Sequence, residues 1–294
     1  MTSLHTTEPQ QDIATQTDHV ARPPLRDALR RQIGAALRSG LRPASYLGLV
    51  REAFLTSVHA ATYPLGLLPP APLRPDAPDP DALDPAARRP VMLVHGWVHN
   101  RTAFLLMQRG LRRAGLGPLH TFEYPSFSGD LDEIAHRLVP AVERLVHGAD
   151  RGTCVLIGHS MGGLVARQYV QELGGHRFVD TVVTMGTPHR GTFSAYCGLG
   201  RPALQCRPGS PYLQRLERTA MPSDTKWISY YSDLDFMVTP AVSAKLTHPA
   251  LDATNVRVRD VGHLSMLLSP SLLNDLVHRL NTRHAEDRPA AAAG

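Results

Sequence analysis

The stretch Val155-Leu156-Ile157-Gly158-His159-Ser160-Met161-Gly162-Gly163 constrains the fold of this chain more than any other. It closes an apolar run over 153–158 and opens a helical pattern over 161–173, so a strand must become a helix within a few residues. So sharp a turn forces its central residue into a strained backbone conformation, and flanking side chains larger than hydrogen would clash there. Gly158 and Gly162 meet that demand, with Ser160 between them. The serine hydroxyl is thereby held above a sheet edge, at the N-terminus of a helix whose amides favour negative charge. A glycine-rich turn with a capping serine would show the same five letters. The strand before it and the helix after it favour a nucleophile.

Elements of the same kind surround this turn. Residues 91–95, 119–124, 181–185, 227–231 and 256–260 read as further strands. Residues 130–147 and 271–280 read as helices, the first expected to be kinked or interrupted at Pro140. Short runs apolar on both faces, interleaved with helices, predict an α/β fold: a mostly parallel sheet with helices on both faces. With 294 residues, 43% of them hydrophobic, the chain can bury a substantial core. The longest apolar region, about 45–68, is broken by Arg51, Glu52 and His59, which argues against a membrane-spanning helix.

The formal net charge is +5, but of 31 basic residues only Lys226 and Lys245 are lysine, and the arginines are scattered. Without an aromatic-interleaved basic stripe or zinc-finger spacing, no nucleic-acid partner is expected. The first twenty residues lack a basic start followed by an apolar run, so no secretory signal is read and a cytoplasmic setting is expected. Cys154 reads as a small buried residue. Cys197 and Cys206 are near enough in sequence to staple one loop, and such a setting would keep them reduced.

Residues 1–21 are polar and aperiodic and are expected to be disordered. A helical extension is expected over 22–63. Leu25, Leu29, Ile33, Leu37 and Leu41 recur every fourth residue with Arg26, Arg30, Arg31 and Arg38 between them, and a second helix covers 46–61. Two roles stay open for residues 25–61: peripheral contact with an anionic membrane surface, or packing on the main domain with the arginines in water. Nine prolines within 64–90 mark 64–88 as a linker. The catalytic domain is expected over 89–284, followed by a disordered tail over 285–294.

A serine hydroxyl is a weak nucleophile and needs a base, which in turn needs an orienting carboxylate. Of the histidines after Ser160, only His263, in Val261-Gly262-His263-Leu264-Ser265, directly follows a late strand and precedes the final helix. For the carboxylate, Tyr231-Ser232-Asp233-Leu234-Asp235-Phe236-Met237-Val238 offers both Asp233 and Asp235, and the residues alone do not choose. Asp260 reads as structural. Two backbone amides must hold the charge of a tetrahedral intermediate. Met161 follows the nucleophile, and Trp97, in His95-Gly96-Trp97-Val98 after the 91–95 strand, is the second donor, with Gly96 letting the backbone approach. His95, Gly96, His159 and His189 are expected to line the substrate site.

Val94-His95-Gly96-Trp97, Gly158-His159-Ser160-Met161-Gly162-Gly163, Gly186-Thr187-Pro188-His189-Arg190-Gly191-Thr192, Asp235-Phe236-Met237-Val238 and Gly262-His263-Leu264 together resemble bacterial triacylglycerol lipases and esterases of the α/β-hydrolase superfamily. The resemblance covers about 89–282. It implies the α/β-hydrolase fold, and it selects Asp235 as the acid because the family's Asp-x-x-Val pattern begins there. It also implies Trp97 and Met161 as oxyanion donors, no organic cofactor and no metal. The segment 192–222 lies where such enzymes insert a lid; a mobile lid and a plain surface insertion are both open. The N-terminal 88 residues and the missing secretion signal depart from compact secreted members.

The expected function is that of a serine carboxylic-ester hydrolase acting on an ester or lipid through an acyl-enzyme. A thioesterase or acyltransferase with the same triad is the first alternative, and a non-catalytic membrane or partner scaffold the second. Acyl length, acceptor and oligomeric state are not written in the sequence.

Overall fold

The computed structural model describes residues 13–16, 24–39, 43–68, 89–125, 129–147 and 152–286. Its strands are β1 (Ile13–Gln16), β2 (Val91–Val94), β3 (Leu119–Phe122), β4 (Cys154–His159), β5 (Val179–Met185), β6 (Lys226–Tyr231) and β7 (Ala253–Val258). They form one seven-stranded sheet in the order β1-β7-β6-β5-β4-β2-β3. β2 to β7 pair in parallel, and β1 runs antiparallel along the outer edge of β7. The helices are α1 (Leu25–Ser39), α2 (Pro43–Leu67), α3 (Leu105–Arg113), α4 (Leu131–His147), α5 (Met161–Glu172), α6 (Gly200–Gln205), α7 (Pro211–Arg218) and α8 (Pro270–Glu286).

The period of two along β4 explains why its strand reads as unbroken apolar sequence. Leu156 points to one face, where Leu138 of α4 and Leu164 of α5 close over it. Val155 and Ile157 point to the other, against Met107 and Leu111 of α3 and Leu272 and Leu276 of α8. Both faces are dry, so neither position tolerates a polar residue. Because the connections between parallel strands return the chain to the same edge each time, the loops after β2, β4, β5, β6 and β7 all leave from one end of the sheet.

Three local expectations change. Residues 13–16, placed in a disordered segment, form β1, with Ile13 opposite Val258 and Thr15 opposite Val256. An open strand edge offers unpaired backbone groups, and a ladder of backbone bonds needs no apolar pattern in the segment that joins it. The linker expected from residue 64 starts later, because α2 continues through Pro64 to Leu67; residues 69–88 lie outside the described residues. Pro140 does not interrupt α4: it sits on the exposed face of a helix that runs from Leu131 to His147. Within 192–222 the chain folds as a short 3-10 turn, Phe193–Tyr196, followed by α6 and α7. The remainder of segment 1–21 and residues 287–294 of the tail lie outside the described residues, and α8 carries the chain to Glu286.

The extension packs on the domain. Ser45 Oγ donates to Asp260 Oδ1 at 2.7 Å, and Gln32 of α1 accepts from the Ala241 amide at 3.0 Å. The outer face of α2 stays exposed, with Leu47 at 72% and Phe54 at 65%. Among the described residues no helix is long and apolar enough to cross a membrane. Cys154, Cys197 and Cys206 are free thiols, Cys197 exposed and the other two buried.

Candidate active site

Ser160 links β4 to α5 with φ 55° and ψ −127°, a left-handed conformation that costs a non-glycine residue on the order of 1–3 kcal/mol. The turn is held by its surroundings. The Ser160 amide donates to the Met185 carbonyl at 2.8 Å, and Thr187 Oγ1 donates to the Ser160 carbonyl at 2.9 Å. A Cβ on Gly158 would come within 2.5 Å of the Gly163 Cα, so the turn closes only around glycine.

His263 follows β7 and faces Asp235, which follows β6. Nδ1 of His263 and Oδ2 of Asp235 are 2.8 Å apart in a buried setting. The other carboxylate oxygen, Oδ1, accepts from the amides of Met237 at 2.9 Å and Val238 at 2.8 Å, which fixes the carboxylate's plane. Gly186, at φ 56°, passes so close that a Cβ there would lie 2.8 Å from Asp235 Oδ2 and 3.0 Å from His263 Nδ1. Asp233 is turned outward and pairs with Arg257 at the surface. Burial alone would lower the pKa of His263. The charge and hydrogen bond of Asp235, and then the charge of Glu52, outweigh it and raise the imidazole above the ordinary 6.5.

Ser160 and His263 open into one cavity of about 560 Å³, lined largely by apolar atoms. Trp97 and Met161 line it too. Met161 is the first residue of α5, so its amide has no partner within the helix. The loop that carries Trp97 continues into Val98, whose φ of 57° is unusual for a β-branched residue. A depression of about 670 Å³ beside β3 and α4 is larger, but none of these residues reaches it.

The expected lining residues are elsewhere. His95, Gly96, His159 and His189 are all buried and none borders the cavity. His95 stacks on Tyr124 with ring centroids 4.0 Å apart, and burial drops its pKa to about 4. His159 lies behind the nucleophile, with Nε2 3.1 Å from the His263 carbonyl oxygen. His189 Nε2 meets Thr184 Oγ1 at 3.1 Å inside the sheet layer, and Pro188 lines the cavity in its place. Desolvation holds His159 and His189 well below the ordinary histidine value, so both stay neutral. Gly96 presses against Ser160, where a Cβ would stand 2.8 Å from the serine Cβ.

In their place the cavity takes a wall from α2: Thr56, His59, Ala60 and Tyr63. His99, from the loop after β2, joins them, its ring 4.5 Å from His59. Ala195, Pro202, Ala203 and Cys206 close the side formed by the 192–206 segment. The sequence held one signal for the α2 wall. Glu52, His59 and Tyr63 share a helix face through the spacings of seven and four. Nothing in that spacing says what the face meets. Among the described residues no group of three or more His, Cys, Asp or Glu side chains is placed to hold a metal ion.

Comparison with known proteins agrees with this architecture. The mature lipase BlEst2 of Bacillus licheniformis superposes with a TM-score of 0.58 at 16% identity, covering 68% of this chain and 94% of that one. The monoacylglycerol lipase of Paleococcus ferrophilus gives 0.51 at 15% identity, covering 68% and 96%. At such identities these likenesses speak for the fold alone. In sequence, the GPI inositol-deacylase of Candida albicans is 30% identical over 122 residues, 41% of this chain. The chain matches about a quarter of that relative's length, 26%. Residues 91–291 match the Alpha/beta hydrolase family, and with a match over most of its length the chain belongs to that family.

Proposed function

We propose that the protein is a serine carboxylic-ester hydrolase. The observation that carries this reading is the strained Ser160 opening into the same cavity as His263, whose far nitrogen rests on Asp235. Ser160 Oγ attacks the ester carbonyl as His263 takes its proton, and Asp235 holds the imidazolium that results. The oxyanion accepts from the amides of Trp97 and Met161. His263 returns the proton to the departing alkoxide and leaves an acyl-serine. Water, deprotonated by the same imidazole, then releases the carboxylic acid and restores Ser160. Every step uses the chain's own groups.

The largely apolar cavity of about 560 Å³ supports an acyl chain of medium or greater length. The deacylase name of the sequence relative is in keeping with an acyl substrate. On the outer face of α2, Leu47, Val50, Phe54, Val58 and Leu65 recur at helical spacing and stay exposed, which supports peripheral contact with a lipid surface beside the cavity.

Hydrolysis of p-nitrophenyl esters from acetyl to palmitoyl, wild type beside Ser160→Ala, tests the reading. Wild-type turnover that rises toward longer acyl chains and vanishes in Ser160→Ala is the expected result. Turnover that survives in Ser160→Ala overturns it. A product ester formed from an added alcohol, in place of free acid, would reassign the chemistry to acyl transfer.

A further inference from the structure

We propose that Glu52, far from the hydrolase motifs in sequence, is a second carboxylate serving His263: it caps the loop that carries the imidazole and thereby positions it. The proposal rests on the catalytic role given to His263 above.

The local chain explains why such a group is needed. His263 occupies the N-cap position of the 3-10 helix Leu264–Leu268, and its side chain makes no capping bond. Residues at that position ordinarily turn their side chains back onto the first free amides. His263 points to Asp235 instead, so the amides behind it need an acceptor from elsewhere. Glu52 of α2 is that acceptor. Its Oε1 takes the Leu264 amide at 2.7 Å, and its Oε2 takes the Ser265 amide at 2.9 Å and the Ser265 hydroxyl at 2.6 Å. The carboxylate lies over Gly262, where a Cβ would stand 2.4 Å from Oε2. Residues 262, 264 and 265, which flank the imidazole on both sides, therefore all meet one side chain.

The same helix grips the start of that loop. Ser45 Oγ donates to Asp260 Oδ1 at 2.7 Å and Arg51 donates to the Asp260 carbonyl at 3.2 Å, with Asp260 itself at φ 55°. One turn after another, α2 then reaches the loop that carries Trp97: Asn100 donates to the Tyr63 carbonyl at 2.8 Å. A single helix thus braces the loops bearing the base and the oxyanion donor.

Four titratable groups face the His263 ring. Asp235 comes from the loop after β6, Glu52 from α2, His159 from the end of β4 and His99 from the loop after β2. The two histidines are neutral, so the charge acting on the imidazolium comes from the two carboxylates. Removing the charge of Glu52 takes away one of the two attractions that raise His263.

Glu52→Gln keeps the side chain's size and one acceptor while removing the charge. Two readouts follow: kcat and KM against pH on a chromogenic ester, and the pH titration of the low-field His263 Nδ1 proton by NMR. We expect the acid limb of kcat/KM and the proton titration to move to lower pH together. The plateau should fall roughly 10- to 100-fold, almost wholly in kcat, as for a catalytic group displaced by about 1 Å. An unmoved acid limb with a wild-type plateau would reduce Glu52 to a tether for α2 and overturn the proposal. If Glu52→Gln fails to fold, Glu52→Asp reads the same quantities: charge kept and reach shortened, it should lose kcat, and a wild-type kcat overturns the proposal. The NMR titration needs no ester. A wild type inactive on every ester therefore sinks the hydrolase reading while the proton still decides on Glu52.

Discussion

Asp235 divides its carboxylate: Oδ2 sits 2.8 Å from Nδ1 of His263, and Oδ1 is occupied by two backbone amides. An Asn at this position would keep the shape but lose the charge, and could present an N–H to the imidazole in place of an acceptor. Asp235→Asn should therefore lower kcat on the order of a thousand- to ten-thousand-fold. Asp233→Asn, which breaks only an exposed pair with Arg257, should leave kcat within about twofold and stability within about 1 kcal/mol. Equal losses in the two variants would contradict the assignment.

The pH profile carries the sign of the His263 environment. The imidazole must be neutral to take the proton of Ser160, and its pKa is raised above 6.5. Activity should therefore begin to fall on the acid side at a pH above 6.5, higher than a free histidine would give. A kcat/KM profile still flat from pH 8 down to 6 would count against the ion pair with Asp235.

Stability should also fall in acid, but through histidines whose pKa values are shifted the other way. His95, His99, His159 and His189 have lowered pKa values because burial disfavours their charged forms. Between 6.5 and their folded values the unfolded chain binds more protons, so unfolding becomes easier as pH drops. For His95 alone, with a pKa near 4, the loss by pH 4 is about 3 kcal/mol. His263 acts in reverse, since its raised pKa adds stability at low pH that fades as pH rises through the folded value. Urea unfolding between pH 7 and 4 measures the sum. His95→Phe, which keeps the stack on Tyr124, should flatten the curve, and an unchanged slope would refute the attribution.

Cavity size can be read through α2. Ala60 lines the cavity and sits one residue beyond His59, so Ala60→Phe places a ring in the acyl space. The preferred chain length should shorten, with KM for long esters rising about tenfold or more and acetyl ester turnover nearly unaffected. Loss of activity on every chain length would place Ala60 against the reacting atoms and not along the acyl path.

How far the sequence was legible follows from where each partner lies. Ser160 was legible because its constraint is local: the end of the strand, the turn with its glycines and the start of the helix occupy nine consecutive residues. Asp235 was not separable from Asp233 by local pattern, since two positions apart in a loop, one residue turns inward and the other outward. His95, His159 and His189 were placed around the right centre but on the wrong side of its wall. A histidine's letter does not say whether its ring faces a cavity or packs neutral against a tyrosine, a carbonyl or a threonine. Glu52 and β1 escaped for another reason. Their partners, Leu264 and the edge of β7, stand more than 200 residues away. Periodicity marks a polar face and cannot name what it touches.

Glu52 meets Leu264 across a separation of 212 residues. During synthesis, therefore, α2 leaves the ribosome long before the segment it braces exists. A nascent chain carrying Ser160 and even Asp235 has no seat for its base until about residue 265 has emerged, and the brace closes only then. Under the proposed role of His263, a chain released upstream of that point carries Ser160 and Asp235 but lacks both the imidazole and the loop that Glu52 holds.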